Sequence, residues 1–366
     1  MESTTTNTAA AASSNKNKRT RLDRTLQIIL PNANETPSRR DGVDGPTERL
    51  YRLYGSSLLQ QACALLGAGA VRPSTAVTAA VIWQRLYHCI SLRKLDVWAA
   101  AMGSLLCAAK TEEVPLTARQ VIVVFHHLYR RRRLLLIDQV DRFVNYNINH
   151  KDVICITKQA STLSLAEKQQ LLQSEGALPL SATGPLWKEW FDALVQAEGL
   201  ILRSLGFLLY WIPSEHAHRF VPGFCEALGL VDNDNGQMMQ QNWNDCNDAY
   251  RLDACVRYSA EVICAAAMFL VLTSTTTTAT VTSAKLPPDS SWWVPLIGTG
   301  QEQALVDCTY LLASCGSRRR KPNDTTATAV PVVDPDVASV AFLKPLVTES
   351  FNGPNSFVWE MAEGNL

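Results

Sequence analysis

The groups in this 366-residue chain that could do chemistry are six histidines, ten cysteines and several runs of like charge. His126 and His127 are adjacent. On a helix that turns their rings about 100° apart, so they cannot chelate as an i,i+4 pair does. His216 and His218 have no cysteine or acidic cluster to complete a metal site. The cysteines are scattered without a Cys-x-x-Cys pair, and Cys246, Cys255 and Cys264, spaced by nine, would alternate between opposite sides of a helix. Free buried thiols in a reducing compartment are expected. The sequence has no Gly-rich phosphate loop, no nucleophile triad and no paired acid–base carboxylates. From these patterns no catalytic residue, cofactor or metal is expected.

The charge runs are the next candidates. Arg130 to Arg133 reads as a solvated turn, with contact to RNA or an acidic partner as the alternative. Arg318, Arg319, Arg320 and Lys321, followed by Pro322, resemble a nuclear-import signal. Lys plus Arg total 34 and Asp plus Glu total 34, so the net charge is zero. That excludes nucleic-acid binding through overall charge, and no sequence-specific nucleic-acid contact is expected. Hydrophobic residues make up 47% and charged residues only 19%, which favours a permanent partner covering one face. Residues 345–366 hold Phe357 and Trp359 in a linker-like setting. They read as a docking motif that orders on a partner, or as a piece that packs back on the chain's own surface.

The elements that must position these groups are helical. Apolar residues at helical spacing predict helices over 55–68, 74–90, 94–110, 117–130, 165–174 and 186–205, then 214–229, 236–251, 259–273, 288–297 and 300–315. Thr117 with Gln120, and Thr299 with Glu302, have capping-box spacing. Pro222 should kink its helix. Trp83, Trp98 and Trp243 are expected core anchors. The longest apolar stretches, Val97–Ala109 and Val262–Leu272, fall short of the ~18 residues of a membrane span. The N-terminus lacks the pattern of a secretory signal, so a soluble intracellular protein is expected. Trp98-Ala99-Ala100-Ala101-Met102 recurs as Cys264-Ala265-Ala266-Ala267-Met268, each in the third helix of its series. Two units, each wrapped around an Ala-rich helix, follow from that pattern.

A string of motifs in this order resembles the cyclin family, and most closely the cyclin L group. Thr36-Pro37-Ser38 with Asp41-Gly42, Asp44, Pro46 and Glu48 is similar to the segment before the first cyclin box. Gly55, Leu58, Gln60, Ala62 and Leu65-Leu66 resemble its first helix. Ala109-Lys110-Thr111-Glu112-Glu113-Val114-Pro115 resembles the end of the third, with Ala109 where Ser is usual. Val121 to Leu128 resembles the fourth. Ala197-Glu198 and Leu205-Gly206-Phe207 resemble the fifth and its exit. Asn242-Trp243-Asn244, Asn247-Asp248, Arg251 and Val256-Arg257 continue into a second box, which Trp292 to Thr299 closes. The resemblance covers about 36–130 and 186–316.

The resemblance implies an all-α fold of two tandem five-helix cyclin boxes. The first spans 46–206 with an insertion at about 131–185, and the second spans 207–317. Disordered tails at 1–45 and 318–366 flank them. It implies a protein that is not itself an enzyme but a nuclear regulatory subunit that activates a cyclin-dependent kinase of the transcription and splicing branch. The kinase needs its αC helix inward and its activation loop open. In the family, the residues matching Lys110 and Glu198 hydrogen-bond kinase backbone beside αC; Glu113 is a weaker candidate. The alternative for the pair is two solvated charges, or an internal salt bridge worth ~0–1 kcal/mol. The insertion or the C-terminal tail could hold a third subunit. The Arg-Ser-rich tail typical of animal cyclin L is missing. Competing readings are a promoter-binding protein of the general transcription factor IIB type, and a helical scaffold that activates nothing.

Overall fold

The computed structural model describes residues 36–143, 166, 169–170, 177, 180–230, 236–275 and 291–314. All regular structure among them is helical, in two packing clusters. Most of 131–185, the import-like run Arg318–Lys321, and Phe357 and Trp359 lie outside the described residues.

The first cluster begins earlier than composition suggested. Residues up to 45 were expected to be disordered, yet a helical turn α1 (Pro37–Arg40) precedes α2 (Gly45–Leu66). Buried polar contacts hold it, not apolar area. The Thr36 hydroxyl donates to Glu48 at 2.8 Å, and Ser38 Oγ accepts the Leu92 N–H at 3.0 Å. Helices α3 (Pro73–Cys89), α4 (Val97–Thr111), α5 (Ala118–Phe143) and α6 (Pro185–Ser204) complete the unit. Asp96 caps α4 by accepting the Trp98 N–H at 2.8 Å. The predicted Thr117–Gln120 box caps α5: the Thr117 N–H donates to Gln120 Oε1 at 2.9 Å, and the Gln120 N–H returns to the Thr117 hydroxyl.

Every residue of α4 from Val97 to Ala109 is buried, as a central helix requires. Close approach to α6 depends on Gly103. A Cβ there would stand 2.7 Å from Ile201 Cδ1 and 3.1 Å from the Ala197 Cβ. Trp98 anchors the other side, edge-on to Tyr54, Phe125 and Tyr129 at 5.7–6.5 Å between ring centroids.

Arg130 to Arg133 is not a turn: α5 runs straight through it. Arg132 is 1% exposed. Its guanidinium lies 4.6 Å from the Tyr54 ring centroid, and it donates to Ser57 Oγ and Gln61 Oε1. Cation–π attraction and those acceptors offset its desolvation, so Arg132 is spent on the core and gives no support to an RNA contact.

The second cluster opens with two 3-10 turns, Ile212–Glu215 and Ala217–Arg219, where a longer helix was predicted. Pro222 sits in the first turn of α7 (Val221–Ala227) and starts that helix instead of kinking one, because its missing N–H costs nothing there. Then come α8 (Gln237–Arg251), α9 (Ala254–Arg257), α10 (Ala260–Thr275), α11 (Val294–Ile297) and α12 (Glu302–Ala313). The three long helices are α8, α10 and α12, and α10 packs between the other two. The Thr299–Glu302 box does not form. Gly298 and Gly300 both take φ above +80°, and α12 starts after Gln301 without a side-chain cap. Cys246, Cys255 and Cys264 lie on three separate helices, and the described cysteines are free thiols.

A buried polar seam joins the clusters. Arg52 Nη1 donates to His88 Nε2 at 2.7 Å and lies 3.6 Å from Asp253, which is bound by Arg257 at 2.5–2.8 Å. Gln84 and Ser56 both donate to the Arg251 carbonyl, at 2.8 and 3.1 Å.

Candidate functional site

Lys110 stands in the last turn of α4, where a cation suits the helix dipole, and Glu198 stands on α6. The close α4–α6 packing at Gly103, Ala197 and Ile201 brings them together: Lys110 Nζ donates to Glu198 Oε1 at 2.5 Å. The lysine side chain is 60% exposed and that of the glutamate 16%. Neither charge is sealed beneath the chain, and both open onto one edge of the first cluster. An exposed pair of this kind stabilises a fold by ~0–1 kcal/mol, so it exchanges readily for other partners.

Glu113 follows directly, exposed and in the left-handed region at φ +55°. Lys110 and Glu198 pair with each other and not with Glu113. Its neighbour Glu112 has a structural task that the sequence reading missed. Its carboxylate accepts hydroxyl hydrogen bonds from Ser74, Thr75 and Thr78 at 2.5–2.9 Å, tying the end of α4 to the start of α3. Thr78 also meets His216 Nε2 at 3.0 Å, which carries the tie into the second cluster.

Apolar side chains flank the pair. Phe191 and Val195 are 40% and 48% exposed, and with Glu198 they form one stripe along α6. Directly after α6 the chain turns through Gly206 at φ +67° and Phe207 at φ +60°. A bulky residue in that region is strained. Phe207 is 66% exposed, next to Leu208 at 43% and Tyr210 at 78%. The 191–195–198 spacing was in the sequence, but only the packed structure shows that this face stays uncovered.

The histidines pack, as their settings suggested. Burial pushes His126 and His216 down to about 4, and His127 and His218 down as well. His126 lies edge-on to Trp190, and His218 stacks on Tyr250. Among the described residues no three His, Cys, Asp or Glu side chains gather where they could hold a metal. No described helix is long and apolar enough to cross a membrane. Trp83 and Trp98 are buried anchors, but Trp243 is half-buried and lines a cleft.

Comparison with known proteins adds a consistent pattern. No family model matches the chain. Cyclin-L1-1 of Arabidopsis thaliana is 29% identical over 258 residues, covering 70% of this chain and 48% of the relative. Cyclin L homolog cyl-1 of Caenorhabditis elegans is 28% identical over 249 residues, 68% of this chain and 44% of the relative. Cyclin-L1 of Homo sapiens is 27% identical over 294 residues, 79% of this chain and 44% of the relative.

The chain is similar to cyclin L proteins of plants, nematodes and mammals.

This cyclin L-like chain spans less than half the length of those curated relatives.

Proposed function

We propose that this cyclin L-like chain binds a cyclin-dependent kinase and holds it in its active conformation through the edge built by α4, α6 and the turn after α6. The observation that carries the reading is the Lys110–Glu198 pair, with exposed Phe191 and Val195 on the Glu198 face of α6 and exposed Phe207 and Leu208 in the turn that follows it. The apolar side chains supply area. The two charges supply register, by exchanging their mutual bond for hydrogen bonds to kinase backbone beside αC. Moving a kinase from 1:99 to 99:1 in favour of the active form needs about 5.5 kcal/mol of differential binding. Burying four exposed apolar side chains is of that order, at roughly 1.5–3 kcal/mol each when fully covered. Glu113, strained and exposed beside Lys110, belongs to the rim of the same surface.

The two helical clusters are read as two cyclin boxes, 46–206 and 207–317. The resemblance to cyclin L supports reading the kinase as one of the transcription and RNA-processing branch and the complex as nuclear. Arg318–Lys321 is the proposed import signal, and 131–185 is a proposed contact for a third subunit. The test is reconstitution of the purified chain with kinases of that branch. One of them is expected to co-elute and gain activity. Lys110→Glu with Glu198→Ala is expected to abolish both. Unchanged association and activity would show that the proposed face is wrong.

A further inference from the structure

A second recognition surface lies between the clusters, on residues the kinase reading does not use. It is a cleft of about 840 Å³ walled by α2 and α3 on one side and α8 on the other. Leu59, Val77 and Ala80 give it an apolar wall. Facing them is an aromatic shelf, in which the His218 ring lies 4.6 Å from Trp243 and 5.7 Å from Tyr250 between centroids.

The lining is one-sided in charge. Arg72, Arg219 and Arg251 belong to it, and no Asp or Glu does. Arg72 and Arg219 are exposed, and neither makes an ion pair among the described residues. His218 is 7% exposed, with the Asn247 side chain and the Trp243 backbone beside its ring. Of the three arginines, Arg251 is paired, its Nη1 lying 3.5 Å from Asp248, while Glu112 is engaged by three hydroxyls. Apolar walls with two exposed arginines, Arg72 and Arg219, suit a peptide that carries aromatics and carboxylates together.

The chain contains such a peptide. Residues 345–366 hold Phe351, Phe357, Trp359 and Met361 with Glu349, Glu360 and Glu363, and no Lys or Arg. The other long stretches outside the described residues do not fit. Those at 1–35 and 276–290 have no aromatic residue, and those at 144–165 and 315–344 carry excess positive charge. About 40 residues separate Ser314 from Phe357, an extended reach of about 140 Å, more than a molecule of this size requires. A tethered segment is presented at millimolar effective concentration, so modest intrinsic affinity suffices.

We propose that residues 345–366 dock in this inter-cluster cleft of their own chain, with Phe357 and Trp359 on the apolar wall and aromatic shelf and Glu360 and Glu363 toward Arg72 and Arg219.

The test uses the full chain. A photo-crosslinking residue is placed at the segment as Trp359→p-benzoylphenylalanine and, separately, Phe357→p-benzoylphenylalanine; adducts are mapped by mass spectrometry. Adducts within one chain to residues 56–80 or 243–251 are expected from at least one variant. Adding Arg72→Glu with Arg219→Glu should reduce their yield about tenfold or more while the melting temperature is kept. Adducts to other surfaces, adducts joining two chains, or a yield indifferent to the arginines would each overturn the assignment.

Discussion

At the residue scale, the side chains that hold the proposed site in place and those that would touch a partner are different ones, and their variants should separate. Lys110→Ala is expected to change stability by no more than ~1 kcal/mol, because the ammonium is largely solvated. Glu112→Ala is expected to cost about 1–3 kcal/mol, since it strands the Ser74, Thr75 and Thr78 hydroxyls at the start of α3. Denaturant unfolding of both variants checks that order. Phe207 makes a sharper case. Glycine takes φ +60° without strain, so Phe207→Gly is expected to raise the melting temperature slightly while weakening kinase association. A fall in both would mean that the Phe207 ring is packing against its own chain.

At the element scale, α4 decides where the pair sits. Gly103→Val would push α4 from α6, because even a single Cβ there meets Ile201 Cδ1 at 2.7 Å. Overpacking of this kind costs typically ~1–3 kcal/mol, and the shift should carry Lys110 away from Glu198. Reduced kinase activation with the variant still folded is the expected outcome, checked by activity assay beside circular dichroism.

The helices were legible where a local signal sufficed. Alanine and apolar residues on every face marked α4 and α10 as central, and Thr117 with Gln120 marked the start of α5. What escaped was decided by partners distant in sequence. Arg132 looks like one charge in a surface run until Tyr54, Ser57 and Gln61 are placed against it. Thr299 has the right spacing for a cap, but the left-handed glycines on either side turn the backbone away. Lys110 and Glu198, 88 residues apart, were legible only through resemblance; nothing local says that they meet.

At the scale of the whole molecule, the seam between the clusters should govern stability. Asp253 binds Arg257 and lies near Arg52. Burial raises its carboxyl, but the bonds from Arg257 and the charges around it outweigh this and hold it far below the usual carboxylate range. Asp253→Ala would leave Arg52 buried and uncompensated, at an expected cost of about 3–5 kcal/mol by chemical denaturation. The seam is also acid-sensitive. Burial, helped by the Arg52 charge, pushes His88 from 6.5 down to about 4; burial does the same for His126 and His216. Between those pH values the unfolded chain binds protons that the folded chain refuses, so stability falls as pH drops through the window. Asp96, raised to about 6 by burial, opposes with one proton against three. The protein should be less stable at pH 5 than at pH 7.5 by about 2 kcal/mol or more, seen as a lower melting temperature. Equal melting at both would remove the buried neutral histidines from the account.

The decisive measurement is activation of a reconstituted kinase by the charge-exchanged variant, Lys110→Glu with Glu198→Lys. The exchange keeps an ion pair between α4 and α6, so the fold and its melting temperature should survive. A kinase surface that reads a lysine on α4 and a glutamate on α6 should no longer be gripped, and activation should fall by about tenfold or more. Full activation by the exchanged pair would mean that the two charges serve only each other, and the proposed grip would be lost.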